Sequence, residues 1–350
     1  MRQSHCNFGI AVVLGLMLLA VLRISPAAAS CGSTSCFLVI GSQAGVPQQG
    51  MLTMNLTYNY VNQGDLLDGT TGIIPEVDTK GRRLIPNHHL EIRTINQVYT
   101  LDLNYGVTDR FALELTIPYI VRSHRHFHFH MGQPVEPSLF TDNGLGDIRV
   151  VAKYNVLPSI RHLLVFGVGL DLPTGKTETH TNAGGNVGPE EPTIQLGRGN
   201  VGLVGSVYQT YELIPHRLGQ FSSIVYRHTF RNNEGYEFGD DYLLAAGLNL
   251  LLLEKLTLTG QFNYRYVVHD TFNSRLGFSG PDSQIITDRA VPTTGSTMLA
   301  FSPGITWNIR DGTAIYFNAQ IPIVRDFNNN IAPDVGFLAG VTHVFNVKPR

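Results

Sequence analysis

The sequence predicts an all-β fold: a transmembrane antiparallel up-and-down β-barrel of about twelve strands, with short turns on one rim and long loops on the other. Three observations carry this reading. The first is the stretch 99–121. Tyr99, Leu101, Leu103 and Tyr105 alternate with Thr100, Asp102 and Asn104. After the turn Gly106-Val107-Thr108-Asp109-Arg110, the residues Phe111, Leu113, Leu115, Ile117, Tyr119 and Val121 alternate with Ala112, Glu114 and Thr116. Successive strand residues point to opposite faces, so this is a hairpin with one apolar and one polar side. Each arm has about the ten residues that a tilted strand needs to cross a bilayer.

The second observation is that connections alternate long and short along the whole chain, as they do in outer-membrane barrels. The third is the N-terminus. Arg2 and His5 precede an apolar run over 10–22, followed by Pro26 and the small residues Ala27-Ala28-Ala29-Ser30. This is the layout of a cleaved secretory signal peptide. A soluble sandwich would also alternate, but its turns need not fall into two length classes and its outward face would be charged.

Taken in order, residues 1–29 form the signal peptide and 30–50 a periplasmic N-terminal segment. The barrel occupies 51–350. Its strands are expected at 51–62, 98–105, 111–121, 145–156, 163–172, 201–213, 221–230, 242–252, 256–268, 297–309, 313–324 and 335–347. Long loops are expected over 63–89, 122–143, 174–198 and 269–294, and a shorter one over 231–240. Tight turns fall at Leu157-Pro158-Ser159, Pro215-His216-Arg217, Glu254-Lys255 and Arg310-Asp311-Gly312.

Composition narrows the partners. A net charge of −2 with 15 % charged residues gives no basic field for nucleic acid. No later stretch reaches the apolar length of a transmembrane helix. The expected partners are outer-membrane lipid and a small-molecule solute, and the oligomeric state is left open. Cys6 leaves with the signal peptide. Cys31 and Cys36 remain in Cys-Gly-Ser-Thr-Ser-Cys, and form one small disulfide loop, or Cys31 carries a lipid anchor after Ala28-Ala29-Ser30. No cofactor motif occurs.

The polar face of the strands supplies the candidate site. Asp102, Glu114, Asp147, Arg149, Lys153, Asp171, Gln261 and Arg265 are expected to line the lumen. Charges inside a barrel can meet water or one another. Such rows either orient polar solutes in a transverse field or pair and fill a narrow interior. His124, His126, His128 and His130 alternate in His-Arg-His-Phe-His-Phe-His and would share one face of an extended segment. Imidazoles at that spacing suit Zn, Cu or Ni; a solvated loop is the plainer reading. An outer-membrane hydrolase would need a Ser/His pair on one strand face. His269-Asp270-Thr271 comes nearest, with Thr in place of Ser, so no catalytic residue is assigned.

At Gly144-Leu145-Gly146-Asp147-Ile148, followed by Ala152-Lys153-Tyr154, the chain resembles the Gram-negative outer-membrane transporter family named after the meta-cleavage pathway of phenol degradation. Leu172-Pro173-Thr174-Gly175-Lys176, Ile117-Pro118-Tyr119 and Ile321-Pro322 fit the same pattern. The resemblance is firmest over 99–176. It implies passage of small, often aromatic or hydrophobic compounds across the outer membrane. The function expected is therefore a passive channel, with a lipase-type barrel enzyme or a non-conducting structural or adhesive barrel as alternatives. Glycines where a long loop re-enters a strand permit tight backbone geometry, and proline removes a ladder donor. The prolines at 118, 173 and 322 either punctuate loops or open lateral gaps toward lipid.

Overall fold

The computed structural model describes residues 45–67, 89–130, 133–134, 138–159, 161–177, 192–233, 235–273, 289–291, 294–327 and 330–347. The signal peptide, Cys31 and Cys36 lie outside them. Within them, twelve barrel strands close into an antiparallel wall. They are β1 (Met51–Leu66), β2 (His89–Gly106), β3 (Phe111–His130), β4 (Ser138–Leu145 continued by Ile148–Asn155), β5 (His162–Leu172) and β6 (Gly202–Ile214). There follow β7 (Leu218–Thr229), β8 (Asp241–Leu252), β9 (Leu256–Val267), β10 (Ser296–Arg310), β11 (Thr313–Phe327) and β12 (Ile331–Pro333 continued by Gly336–Asn346). Each pairs with its sequence neighbours, and β1 pairs with both β2 and β12, which closes the wall on itself.

The dyad pattern read from the sequence fixes which side faces out. Leu113, Tyr119, Val168, Phe262 and Ile323 are exposed on the convex face, with Val168 at 73 %. Asn55, Asn104, Lys153, Asp171 and Gln261 are buried on the concave face. Aromatic side chains form two outward bands. Near the long-loop rim, Tyr58, Tyr99 and Tyr119 are register partners across β1–β3, and Tyr226, Tyr242 and Tyr266 across β7–β9. Near the short-turn rim stand Tyr105, Tyr154, Tyr211, Trp307 and Phe345. Phe111 and Tyr119 are eight residues apart on β3. At about 3.3 Å per residue and a tilt of about 40°, that is about 20 Å of height, comparable with the apolar band of such barrels.

The tight turns follow local chemistry. In the three-residue connection between β8 and β9, Leu253 and Glu254 both take positive φ (42° and 44°). Gly312, at φ 71°, closes the β10–β11 turn.

One loop and one strand boundary are corrected. Residues 122–143 are mostly strand: β3 runs on to His130, and Ser138–Leu145 pairs with it. Strand β2 likewise begins at His89 rather than at 98 and pairs with β3 as far as His128. The reason is that this hairpin stands beyond the hydrocarbon layer. Its outward positions, such as Arg93, Ser123 and Arg125, are polar, so no hydrophobic rhythm marks the strand, while the inward Thr94, Asn96, Arg122, His124 and His126 remain buried.

Candidate functional site: a charged interior and an inward-folded loop

The inward positions of β3–β9 bring opposite charges together across neighbouring strands. Lys153 of β4 pairs with Glu114 of β3. Asp171 of β5 takes two guanidinium partners: Arg149 Nε donates to Oδ1 at 2.7 Å, and Arg227 of β7 reaches Oδ2 from the other side. Arg265 of β9 forks onto Asp241 of β8, at 3.0 and 2.8 Å. Asp102 accepts from Thr116 Oγ1 at 2.8 Å and Asn55 Nδ2 at 3.0 Å. Gln261 donates to Asn263, whose amide reaches Ser302 at 2.7 Å. Buried charges endure when paired and hydrogen-bonded, and these are.

Asp147 differs from the row it was expected to begin. Gly146 and Asp147 step out of the β3–β4 ladder opposite Pro118, which has no N–H to give, and one register step is lost between Tyr119↔Leu145 and Thr116↔Arg149. The freed carboxylate accepts two backbone N–H groups from loops, Gly175 at 3.0 Å and Arg198 at 2.9 Å.

Those two amides belong to the device that closes the interior. Residues 192–200, the end of the long connection between β5 and β6, fold back inside the wall, and Thr193 to Arg198 are all buried. Arg122 of β3 donates from Nη1 to the carbonyls of Thr193 and Gln195, both at 3.1 Å, and from Nε to Asn96 at 2.7 Å. Leu196 packs on Val98 and Ile120, which face inward from β2 and β3. The glycines of the quoted motifs make the fit possible. A Cβ on Gly146 would lie 2.7 Å from Ile120 Cδ1, and one on Gly175 would lie 2.6 Å from Gly197 Cα. The backbone near the two ends of the β5–β6 connection therefore meets at Gly175 and Gly197 only because both lack side chains.

Above this segment the remaining loops build a cap. Tyr236–Glu237, Thr271–Phe272 and Arg289–Ala290 form a small three-stranded sheet over a core of Tyr236, Phe238, Phe272 and Val291. The Arg198 guanidinium lies 4.8 Å above the Phe238 ring and donates to Thr229 Oγ1 at 2.9 Å. Burial, with Arg227 close by, lowers its pKa to about 9. Asp270 accepts from Gly239 N at 2.7 Å and the Tyr236 hydroxyl at 2.5 Å, yet burial outweighs these bonds and pushes its carboxyl up.

On the other side of the inward segment the interior is wetter. Ser206, Thr210, Glu212, Asn249, Thr257 and Thr259, toward the short-turn rim, are partly exposed. Residues 45–50 lie at that rim, with Gly50 N donating to Gly106 O at 2.8 Å and Asn104 Nδ2 to Gly45 O at 3.0 Å.

The other candidates fall as follows. His124 and His126 point inward, their ring centroids 4.9 Å apart, with His124 Nδ1 2.7 Å from Thr94 Oγ1. The side chains of His128 and His130 lie outside the described residues, within which no group of three metal-ligating side chains assembles. His269 Nδ1 faces the Val291 carbonyl at 3.2 Å, while Thr271 Oγ1 accepts from Arg231 at 3.2 Å, so both are engaged with other groups. Sequence reasoning missed Arg122, Arg198, Arg227 and Asp241. Arg122 and Arg227 carry a readable signal, an inward parity on their strands; Arg198, in a loop, carries none.

No family model matches the chain, and no curated protein matches it in sequence. Solved structures do match in fold. An outer membrane channel from Pseudomonas putida F1 superposes with a TM-score of 0.57 at 12 % identity, over 88 % of this chain and 100 % of that one. The transport unit of the autotransporter AIDA-I from Escherichia coli gives 0.48 at 11 % identity, over 89 % and 94 %. With its closed antiparallel wall and outward apolar face, the chain has the fold of the outer-membrane β-barrels.

Proposed function

We propose that the protein is a passive outer-membrane channel for small solutes in a Gram-negative bacterium, reached by secretion with a cleaved signal peptide, and that residues 192–200 set its constriction. The single observation that carries this reading is the inward-folded segment itself. A barrel that served only as a wall or an anchor has no use for a loop seated in a charge-lined interior by Arg122 and Asp147. The water-accessible residues toward the short-turn rim supply the rest of a path. The motif resemblance to the meta-pathway transporters adds the solute class: small aromatic or hydrophobic compounds, moved down their own gradient with no cofactor.

The test is planar-bilayer conductance and liposome swelling, comparing the full protein with a variant lacking residues 193–197. The expected outcome is a low conductance that rises several-fold in the variant, with swelling by benzoate-sized solutes rising alongside. If neither protein conducts or swells vesicles, the channel reading is wrong, and the non-conducting barrel takes its place.

A further inference from the structure

The outward face just beyond the aromatic band carries a feature that conduction does not use. Arg93 of β2 and Arg125 of β3 are direct register partners, and both are exposed on the convex side of the wall. Directly opposed residues on one face have Cβ atoms about 5 Å apart, and like charges in that position repel. Among the described residues neither is paired with a carboxylate. Arg93 Nε donates to Asn62 Oδ1 at 2.6 Å, and Asn62 in turn reaches Asp334, which with Asp65 is engaged by Arg325.

Their height on the wall says what could relieve the repulsion. Each arginine lies six residues beyond a tyrosine of the outer band, Tyr99 and Tyr119 respectively. That is about 15 Å of height at the usual rise and tilt, which the long arginine side chains can partly span back toward the bilayer. Between band and arginines the outward residues Ser123 and Thr141 offer hydroxyls, and Thr141 is the register partner of Ser123 on β4. Two guanidiniums above a row of hydroxyl donors match the oxygens of a phosphate, which arginine binds bidentately.

We propose that Arg93 and Arg125 form a clamp for the phosphate-bearing saccharide headgroup of an outer-leaflet glycolipid. The clamp places β2 and β3 against bound lipid and neutralises the opposed charges. It is independent of what passes through the interior, and requires only that the long-loop rim face the outer leaflet.

The experiment is native mass spectrometry and thermal unfolding of the detergent-solubilised full chain with rough-type lipopolysaccharide, intact or chemically dephosphorylated, and with inorganic phosphate as a separate probe. Arg93→Gln/Arg125→Gln is compared with wild type and with Lys255→Gln, an exposed lysine on the opposite rim. Intact lipopolysaccharide should bind wild type and Lys255→Gln alike, and the double variant at least tenfold more weakly. Dephosphorylation should weaken wild type to the double variant's level. Each single substitution, expected to lose severalfold, keeps the test open should the double variant misfold. Equal binding of the dephosphorylated lipid, an unchanged double variant, or binding of inorganic phosphate as tight as that of the lipid would each overturn the proposal.

Discussion

Asp147 shows how much of the architecture can rest on one side chain. Its two oxygens hold the amides of Gly175 and Arg198, near the two ends of the long β5–β6 connection, and so add to the hold of Arg122 and Leu196. Hydrogen bonds to a charged acceptor contribute about 1.5–3 kcal/mol each, so Asp147→Ala should weaken the seat of the inward segment by about 3 kcal/mol. That shifts the balance of seated and released loop on the order of a hundredfold. Faster hydrogen exchange at residues 192–200, together with more frequent open events in bilayer recordings, is the expected result. An unchanged exchange pattern would mean that Arg122 and Leu196 hold the segment without help.

This residue also marks a limit of sequence reading. Its motif, Gly144-Leu145-Gly146-Asp147, is visible from the chain, and so is the need for glycine there. That Asp147 turns to two loop amides rather than joining the charged row follows from a lost register step opposite Pro118, and no local pattern encodes which amides come to meet it.

At the scale of strands, the interior charges act as cross-strand ties. Asp171 on β5 links β4 through Arg149 and β7 through Arg227, so it spans β6, which lies between. Asp171→Asn would leave two guanidiniums facing one another without their common anion. Removing one partner of a buried ion pair costs about 3–5 kcal/mol, and the lower end applies because the Arg149 side chain is 27 % exposed. Chemical unfolding in detergent should register a loss of about 3 kcal/mol, and a change below about 1 kcal/mol would show that backbone pairing alone holds these strands. Most strands were legible because the membrane imposes a strict apolar/polar dyad on them. The upper parts of β2 and β3 were not, since water on their outer side removes the hydrophobic half of that dyad.

For the molecule as a whole, the wall and the cap obey different solvents. The wall is held by lipid outside and paired charge inside. The cap is a small water-facing assembly whose buried carboxyl, Asp270, has its pKa raised by burial. Between the ordinary carboxylate range and that raised value, the folded protein binds more protons at this site than the unfolded chain does. The contribution of Asp270 to stability is therefore greatest at low pH and is lost as pH rises through the folded pKa. The thermal midpoint of wild type, measured against Asp270→Asn, should accordingly gain as pH is lowered from 7 toward 4.5. A difference that is flat, or that runs the other way, would place the protonation change elsewhere.

What the sequence by itself determined is the wall: strand number, the side each residue faces, the two rims and the polar character of the interior. All of these follow from a period-two constraint that each strand satisfies alone, with bilayer and water as the two solvents. What only the tertiary structure decided is how that interior is closed. The inward path of 192–200, its seat on Asp147 and Arg122, the glycine contact between 175 and 197, and the stacking of Arg198 on Phe238 join residues that no strand register brings together. Such contacts are set by where loop ends meet in space, and a loop, unlike a strand, has no repeat to announce where it will go.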